Sequence, residues 1–135
     1  MGLRATASFK PGDIAGLVSR VAAGAQQGAL TAAQAGQAIS LAIVPRDTGA
    51  LADSIDLKSG VDGASAWASW GPDIFYMFYV EFGTGRRGAA SAEAGPGPYD
   101  ENWAGMTPRP YMRPALDEIA PQVVDIVADA IKDAL

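Results

Sequence analysis

Phe75-Tyr76-Met77-Phe78-Tyr79-Val80-Glu81-Phe82-Gly83-Thr84-Gly85-Arg86-Arg87-Gly88, in one-letter code FYMFYVEFGTGRRG, decides between two folds. Its last six residues spell G-x-G-x-x-G, the pattern that cradles a dinucleotide where a strand of a parallel sheet turns into a helix. Read that way, the stretch requires a crossover of about a dozen residues or more on its C-terminal side. The next residues are Ala89-Ala90-Ser91-Ala92-Glu93-Ala94 and then Gly95-Pro96-Gly97-Pro98, which is too short for a crossover helix. The fingerprint is a coincidence of composition, no nucleotide cofactor is expected, and the fold has to be read from the flanks.

Upstream, the apolar and small positions between Asp13 and Ile43 fall at 14, 18, 21, 25, 29, 32, 36, 39 and 43. Alternating threes and fours mark one face of a helix. Asp13 is a candidate N-cap and Pro45 blocks continuation. Such a helix is about 45 Å long, more than one small core covers. The middle of its stripe is Ala25, Ala29, Ala32 and Gly36, residues that admit a neighbouring backbone. The helix is either a core helix with a thin face or one partly packed on another subunit. Pro45 to Gly49 reads as a turn. Ser54 to Lys58 and Ala64 to Gly71 alternate as strands, with Ser59 to Gly63 as the hairpin connection. On the second strand Ala66, Ala68 and Trp70 share a face, opposite Ser65, Trp67 and Ser69. Ile74 to Phe82 reads as a short helix after Pro72, because Ile74, Phe78 and Phe82 share a helical face, as do Phe75 and Tyr79.

Downstream, Gly83 to Thr107 has no regular period. It is a loop or arm of about 25 residues, a length usually tied to function or disorder. Pro108 to Arg113 is short and extended, and Pro114 suits a first helical position. Leu116, Ile119, Val123, Ile126 or Val127, Ala130 and Ile131 mark an apolar face running to the C-terminus, with Pro121 kinking or restarting the helix. Asp125, Asp129 and Asp133 form a solvated acidic stripe. The expected architecture is α+β in a single domain over residues 1–135: a polar arm at 1–10, a long N-terminal helix, a small antiparallel sheet, a loop-rich middle with a long arm at 83–107, and a C-terminal helix packed on the sheet.

Composition removes several kinds of chemistry. The chain has no histidine and no cysteine, so it has no Ser-His-Asp or Cys-His nucleophile, no His/Cys zinc site and no disulfide. A net charge of −5 makes it a poor default for sequence-independent DNA binding. No apolar run approaches the ~18 residues of a membrane span, and Met1 to Thr6 matches a myristoylation pattern only loosely. Asp47-Thr48-Gly49 spells the loop of aspartic proteases, in which two copies share a proton. Here Pro45 and Arg46 precede it after a long helix, so the plain reading is a turn whose Asp or Thr side chain caps nearby amides. The adjacent acids Asp100-Glu101 and Asp117-Glu118 do not share a helical face and offer no metal pattern. Neither an enzymatic activity nor a metal or other cofactor is expected.

Three segments, taken in order, carry a resemblance. Val44-Pro45-Arg46-Asp47-Thr48-Gly49-Ala50-Leu51-Ala52-Asp53-Ser54-Ile55 resembles a "VPVDTGALRDSI" segment, Tyr76 to Gly85 a "YAxYVEFGT" segment, and Pro108-Arg109-Pro110-Tyr111-Met112-Arg113-Pro114-Ala115-Leu116 a "PxPFLRPAL" segment. Together they are similar to the tail-completion or neck proteins of long-tailed bacteriophages, often described as head–tail joining or minor tail components. This chain departs from that pattern in its longer linker and in Tyr111 and Met112, swaps that keep size and apolarity.

The resemblance implies a structural virion protein at the head–tail junction, completing the tail and joining it to the head, as a ring around the DNA path. The runner-up is a tail-terminator ring that caps the tail tube; a nucleic-acid-binding accessory protein is the alternative from another class. The implied partners are copies of the same chain and neighbouring neck and tail-tube proteins, with DNA passing nearby without sequence-specific contact and no membrane. Asp47, Thr48, Gly49, Tyr79, Glu81, Gly83, Arg109 and Arg113 form the expected signature. Glu81 lies in so apolar a stretch that it needs a partner, with Arg113 or Arg109 as candidates that would tie the ends of the long loop together. Arg86, Arg87, Tyr99 and Trp103 are expected to contact a neighbouring subunit, with the arginines facing its acids in preference to DNA.

Overall fold

The computed structural model describes residues 11–62, 65–85 and 104–135. Helix α1 spans Pro11–Ile43 and is followed by the one-turn α2, Ala50–Asp53. Strands β1 (Ile55–Asp62) and β2 (Ser65–Pro72) pair antiparallel, from Ile55 opposite Pro72 to Asp62 opposite Ser65. Short α3 (Met77–Phe82) comes next, and the chain ends in α4 (Met112–Ile119) and α5 (Val123–Ala134), joined by a 3₁₀ turn at Ala120–Gln122. The class is α+β, with the long first helix, the small antiparallel sheet and the C-terminal helix of the sequence reading.

α3 begins at Met77 and not at Ile74, and β2 is shifted by one residue; three further boundaries differ, each for a local reason. α1 begins before Asp13, which sits inside the first turn where its charge faces the positive end of the helix dipole. Ser59 to Asp62 belong to the ladder and not to a hairpin connection. Gly60 lies opposite Trp67, and a Cβ there would come within 2.9 Å of the indole, so this glycine is the space the ring occupies. α4 begins at Met112, two residues before Pro114. Pro121 does interrupt the last helix, as expected, and the Gln122 Nε2 donates to the Glu118 carbonyl at 3.0 Å across the break.

The row that organises α1 is one residue away from the apolar stripe at its start. Gly24, Gly28, Ala32, Gly36 and Ser40 are all buried. Their i, i+4 spacing makes one slanting ridge along the helix. α5 covers the first part of this row. A Cβ at Gly28 would stand 2.6 Å from the Val127 Cα and one at Gly24 2.7 Å from the Ile131 Cα, so the two helices meet backbone to backbone. The sheet covers the second part. A Cβ at Gly36 would meet the Trp70 ring at 2.5 Å, and the Trp70 Nε1 donates to the buried Ser40 hydroxyl at 2.9 Å. The C-terminal helix therefore packs on α1 and not, as expected, on the sheet, because the α1 glycines let the two helix backbones meet; a groove separates its remaining apolar side from β2. Leu116, read as part of the apolar face, is 52% exposed at the edge of that groove.

The core proper lies beyond Trp70. Val44, Leu51, Ala52, Ile55 and Tyr111 are buried together, with Ile74, Tyr76, Met77, Val80 and Met112 packed against them. The start of α1 reaches past this body: Ile14 is 52% and Val18 61% exposed. Among the described residues no helix is long and apolar enough to cross a membrane.

Candidate functional site

Glu81 sits in the last turn of α3, a helix that ends because Gly83 adopts φ +72°. Few residues other than glycine accept that conformation. A Cβ at Gly83 would also stand 2.6 Å from the Met106 carbonyl oxygen. The returning chain is therefore held against the α3 C-terminus. The Thr84 N–H donates to the Met106 carbonyl and the Met106 N–H to the Thr84 hydroxyl, both at 2.9 Å. Beyond this clasp the Arg109 N–H donates to the Val80 carbonyl at 2.8 Å. These bonds deliver the start of α4 to the Glu81 side chain.

The carboxylate then caps that helix. Its Oε2 accepts from the Tyr111 N–H at 2.8 Å and the Met112 N–H at 3.0 Å, and its Oε1 from the Arg113 N–H at 3.0 Å. The first four N–H groups of a helix have no partner within it. Here three are bound by one side chain from another element, and the fourth position is Pro114, which has no N–H to satisfy. Negative charge at a helix N-terminus is favoured by the helix dipole as well. Glu81 is only 5% exposed, and its bond to the Tyr111 N–H is buried while those to the Met112 and Arg113 amides are half-buried.

Of the two arginines proposed as its partner, Arg113 does pair with it. The Nε lies 3.6 Å from Oε1 and the guanidinium stacks 4.9 Å over the Phe82 ring, but the side chain is 60% exposed. The amides, and not the ion pair, are the principal partners. The Arg109 side chain is exposed, and its backbone makes the useful bond. The ends of the long loop are indeed tied together here, through Thr84–Met106 and through Glu81 with the α4 amides. Thr84 and the three amides escape a reading of the sequence. Pro114 is their available signal: a proline at the fourth position makes three donors, rather than four, the number to be capped.

The remaining signature residues divide. The Thr48 Oγ1 accepts from the Ala50 N–H at 3.3 Å and Gly49 has φ +87°, so the turn is capped by the threonine, while Asp47 is exposed. That turn delivers Leu51 and Ala52 into the core beside Tyr111. The Tyr79 carbonyl accepts the Gly83 N–H at 2.9 Å, and its side chain is 37% exposed. Arg86, Arg87, Tyr99 and Trp103 lie outside the described residues. Among the described residues, no group of three or more acidic side chains is placed to hold a metal ion.

Comparison with protein-family models, with characterised proteins and with solved structures returns no match to this chain.

The burial of Tyr111 brings a dependence on alkaline pH. Burial, with the Glu81 charge and then Tyr76 adding to it, pushes the Tyr111 hydroxyl from 10.0 up to about 12. A raised acid stays protonated in the folded chain while its unfolded counterpart ionises. The contribution is complete below about pH 10 and is lost as pH rises toward about 12. Urea midpoints are expected to fall over that window. Tyr111→Phe, which removes the ionisable group, is expected to flatten the fall.

Proposed function

We propose that this chain is a structural subunit of the head–tail junction of a long-tailed bacteriophage, completing the tail and joining it to the head as part of a ring around the DNA path. One observation carries the reading. The three segments that resemble that family converge in one core. Val44, Leu51, Ala52 and Ile55 come from the first, Tyr76, Met77 and Val80 from the second, and Tyr111 and Met112 from the third. Glu81 of the second segment fastens the third directly. Short motifs that meet by chance have no reason to pack on one another; motifs that are parts of one signature do. The exposed apolar start of α1 supports an assembly, because such surface on an isolated domain calls for a partner. The charge of −5 suits a passage through which DNA slides without being gripped.

The test is genetic and structural together. In a phage whose copy of this gene is interrupted, DNA-filled heads and separate tails of normal length are expected, and added purified protein should join them. Overlong tail tubes would indicate the tail-terminator role. Normal virions without the protein would overturn both. A nucleic-acid-binding role would instead appear as DNA affinity that falls steeply with salt.

A further inference from the structure

The hairpin leaves both of its edges open. In an antiparallel ladder, alternate residues of each strand turn their N–H and C=O groups toward the partner strand, and the others turn them away. One bond at the base fixes the alternation here. The Asp73 N–H donates to the Ser54 carbonyl at 3.1 Å, so Ser54 and the even-numbered residues of β1 face β2. As this requires, the Ile55 carbonyl is left for another partner and accepts from the Gln37 Nε2 at 3.1 Å. The outward groups are those of Leu57, Ser59 and Val61 on β1 and, by the register, those of Ala66, Ala68 and Trp70 on β2. Among the described residues, the main-chain groups of these six make no hydrogen bond outside the ladder. Pro72, the next outward position of β2, has no N–H to leave unpaired. Open edges of this kind are templates for a further strand, and a two-stranded sheet is marginal by itself.

We infer that the β2 edge of one copy takes the β1 edge of the next, so that the hairpins join into one antiparallel sheet running round the assembly. The inference deepens the ring reading and rests on it for closure. Three observations select a second copy. The two edges run in opposite directions and offer three outward residues each, so copies repeated in one sense set β2 antiparallel to the next β1, as inside the hairpin. At the same level Lys58 and Asp62 then meet Ser69 and Ser65, and no like charges stand opposite each other. Residues from both faces of β2, Trp67 as well as Ala66 and Ala68, border the groove, so open space runs along that edge. A strand laid there carries Val61, 49% exposed, on the face it shares with Ala66, toward the C-terminal helices. Pairing β1 with β1, or β2 with β2, leaves one edge of every chain open. Pairing β2 with β1 round a closed ring leaves none.

Residue-resolved hydrogen exchange of the full chain, as monomer and as assembly, tests the contact. On assembly the amides of Leu57, Ser59, Val61, Ala66, Ala68 and Trp70 are expected to slow by about tenfold or more, the size of one hydrogen bond. The amides of Lys58 and Ser69, which face the other strand, are expected to be protected in both states. That alternation separates strand pairing from the covering of side chains. Ser59→Pro and Ala66→Pro each remove one outward N–H, from opposite edges, and leave the ladder bonds in place. Each is expected to weaken self-association by about tenfold or more while circular dichroism stays native. Each keeps the edge that the other has lost, so an equimolar mixture is expected to form a dimer of the two and to stop there. Should a proline chain misfold, the exchange pattern of the wild type decides alone. Edge amides that assembly leaves unchanged would overturn this contact and leave the ring reading standing. Protection of one edge only, the mark of a two-fold pair, would overturn it too, as would protection of these amides in the monomer, the mark of a strand from the same subunit. A wild-type chain that never self-associates would also overturn it; the neck role would then be decided by the gene-interruption phenotype alone.

Discussion

Glu81→Ala is expected to lower folding stability by about 3 kcal/mol, the cost of leaving one buried and two half-buried amide donors without their acceptor. The change strands the N–H groups of Tyr111, Met112 and Arg113, each now bonded at 2.8 to 3.0 Å. An unmade buried hydrogen bond costs about 1–3 kcal/mol, and the partly exposed Met112 and Arg113 amides recover some of that from water. Domains of this kind have about 5–15 kcal/mol in total, so the variant should be near the edge of folding at 37 °C. Arg113→Ala separates the amides from the ion pair. Its guanidinium is 60% exposed, and exposed pairs contribute about 1 kcal/mol or less. Chemical denaturation of the two variants measures the difference. Equal losses would mean that the ion pair carries the site, and a loss below about 0.5 kcal/mol for Glu81→Ala, the usual surface value, would mean that the cap does not matter.

Gly28→Val is expected to cost about 3 kcal/mol, at the upper end of the range for overfilled cores. The first added carbon already meets the Val127 Cα at 2.6 Å and the Ala130 Cβ at 3.1 Å, and backbone cannot step aside as a flexible side chain can. The control lies on the same helix. Gly16 has nothing within 4 Å of an added Cβ, so Gly16→Ala should stabilise by about 0.4–1 kcal/mol through the unfolded chain. Opposite signs at the two glycines in thermal unfolding would locate the α1–α5 crossing. The same sign at both would place α5 elsewhere.

How far the sequence discloses this molecule depends on the range of the interaction. The 3.6-residue period of α1, the alternation of Ala66, Ala68 and Trp70, and the break at Pro121 are local, and each is visible in the chain. Gly24 and Gly28 are harder to single out from the neighbouring alanines, because spacing alone does not say which of two adjacent small-residue rows another helix will cover. The Gly24-x-x-x-Gly28 spacing is the available clue. For the site, apolar context alone demands a partner for Glu81, and charge then draws attention to arginines. The amides that bind it become donors only because α4 starts at Met112 and the Thr84–Met106 contact brings that start within reach. Backbone donors have no signature in the order of side chains.

The central claim is that copies of this chain close into a ring at a phage neck. Electron cryomicroscopy of the purified full-length protein, at concentrations spanning its self-association, tests it most directly. The expected result is closed rings with an open centre. Folded monomers at every concentration, or open filaments that never close, would contradict the claim.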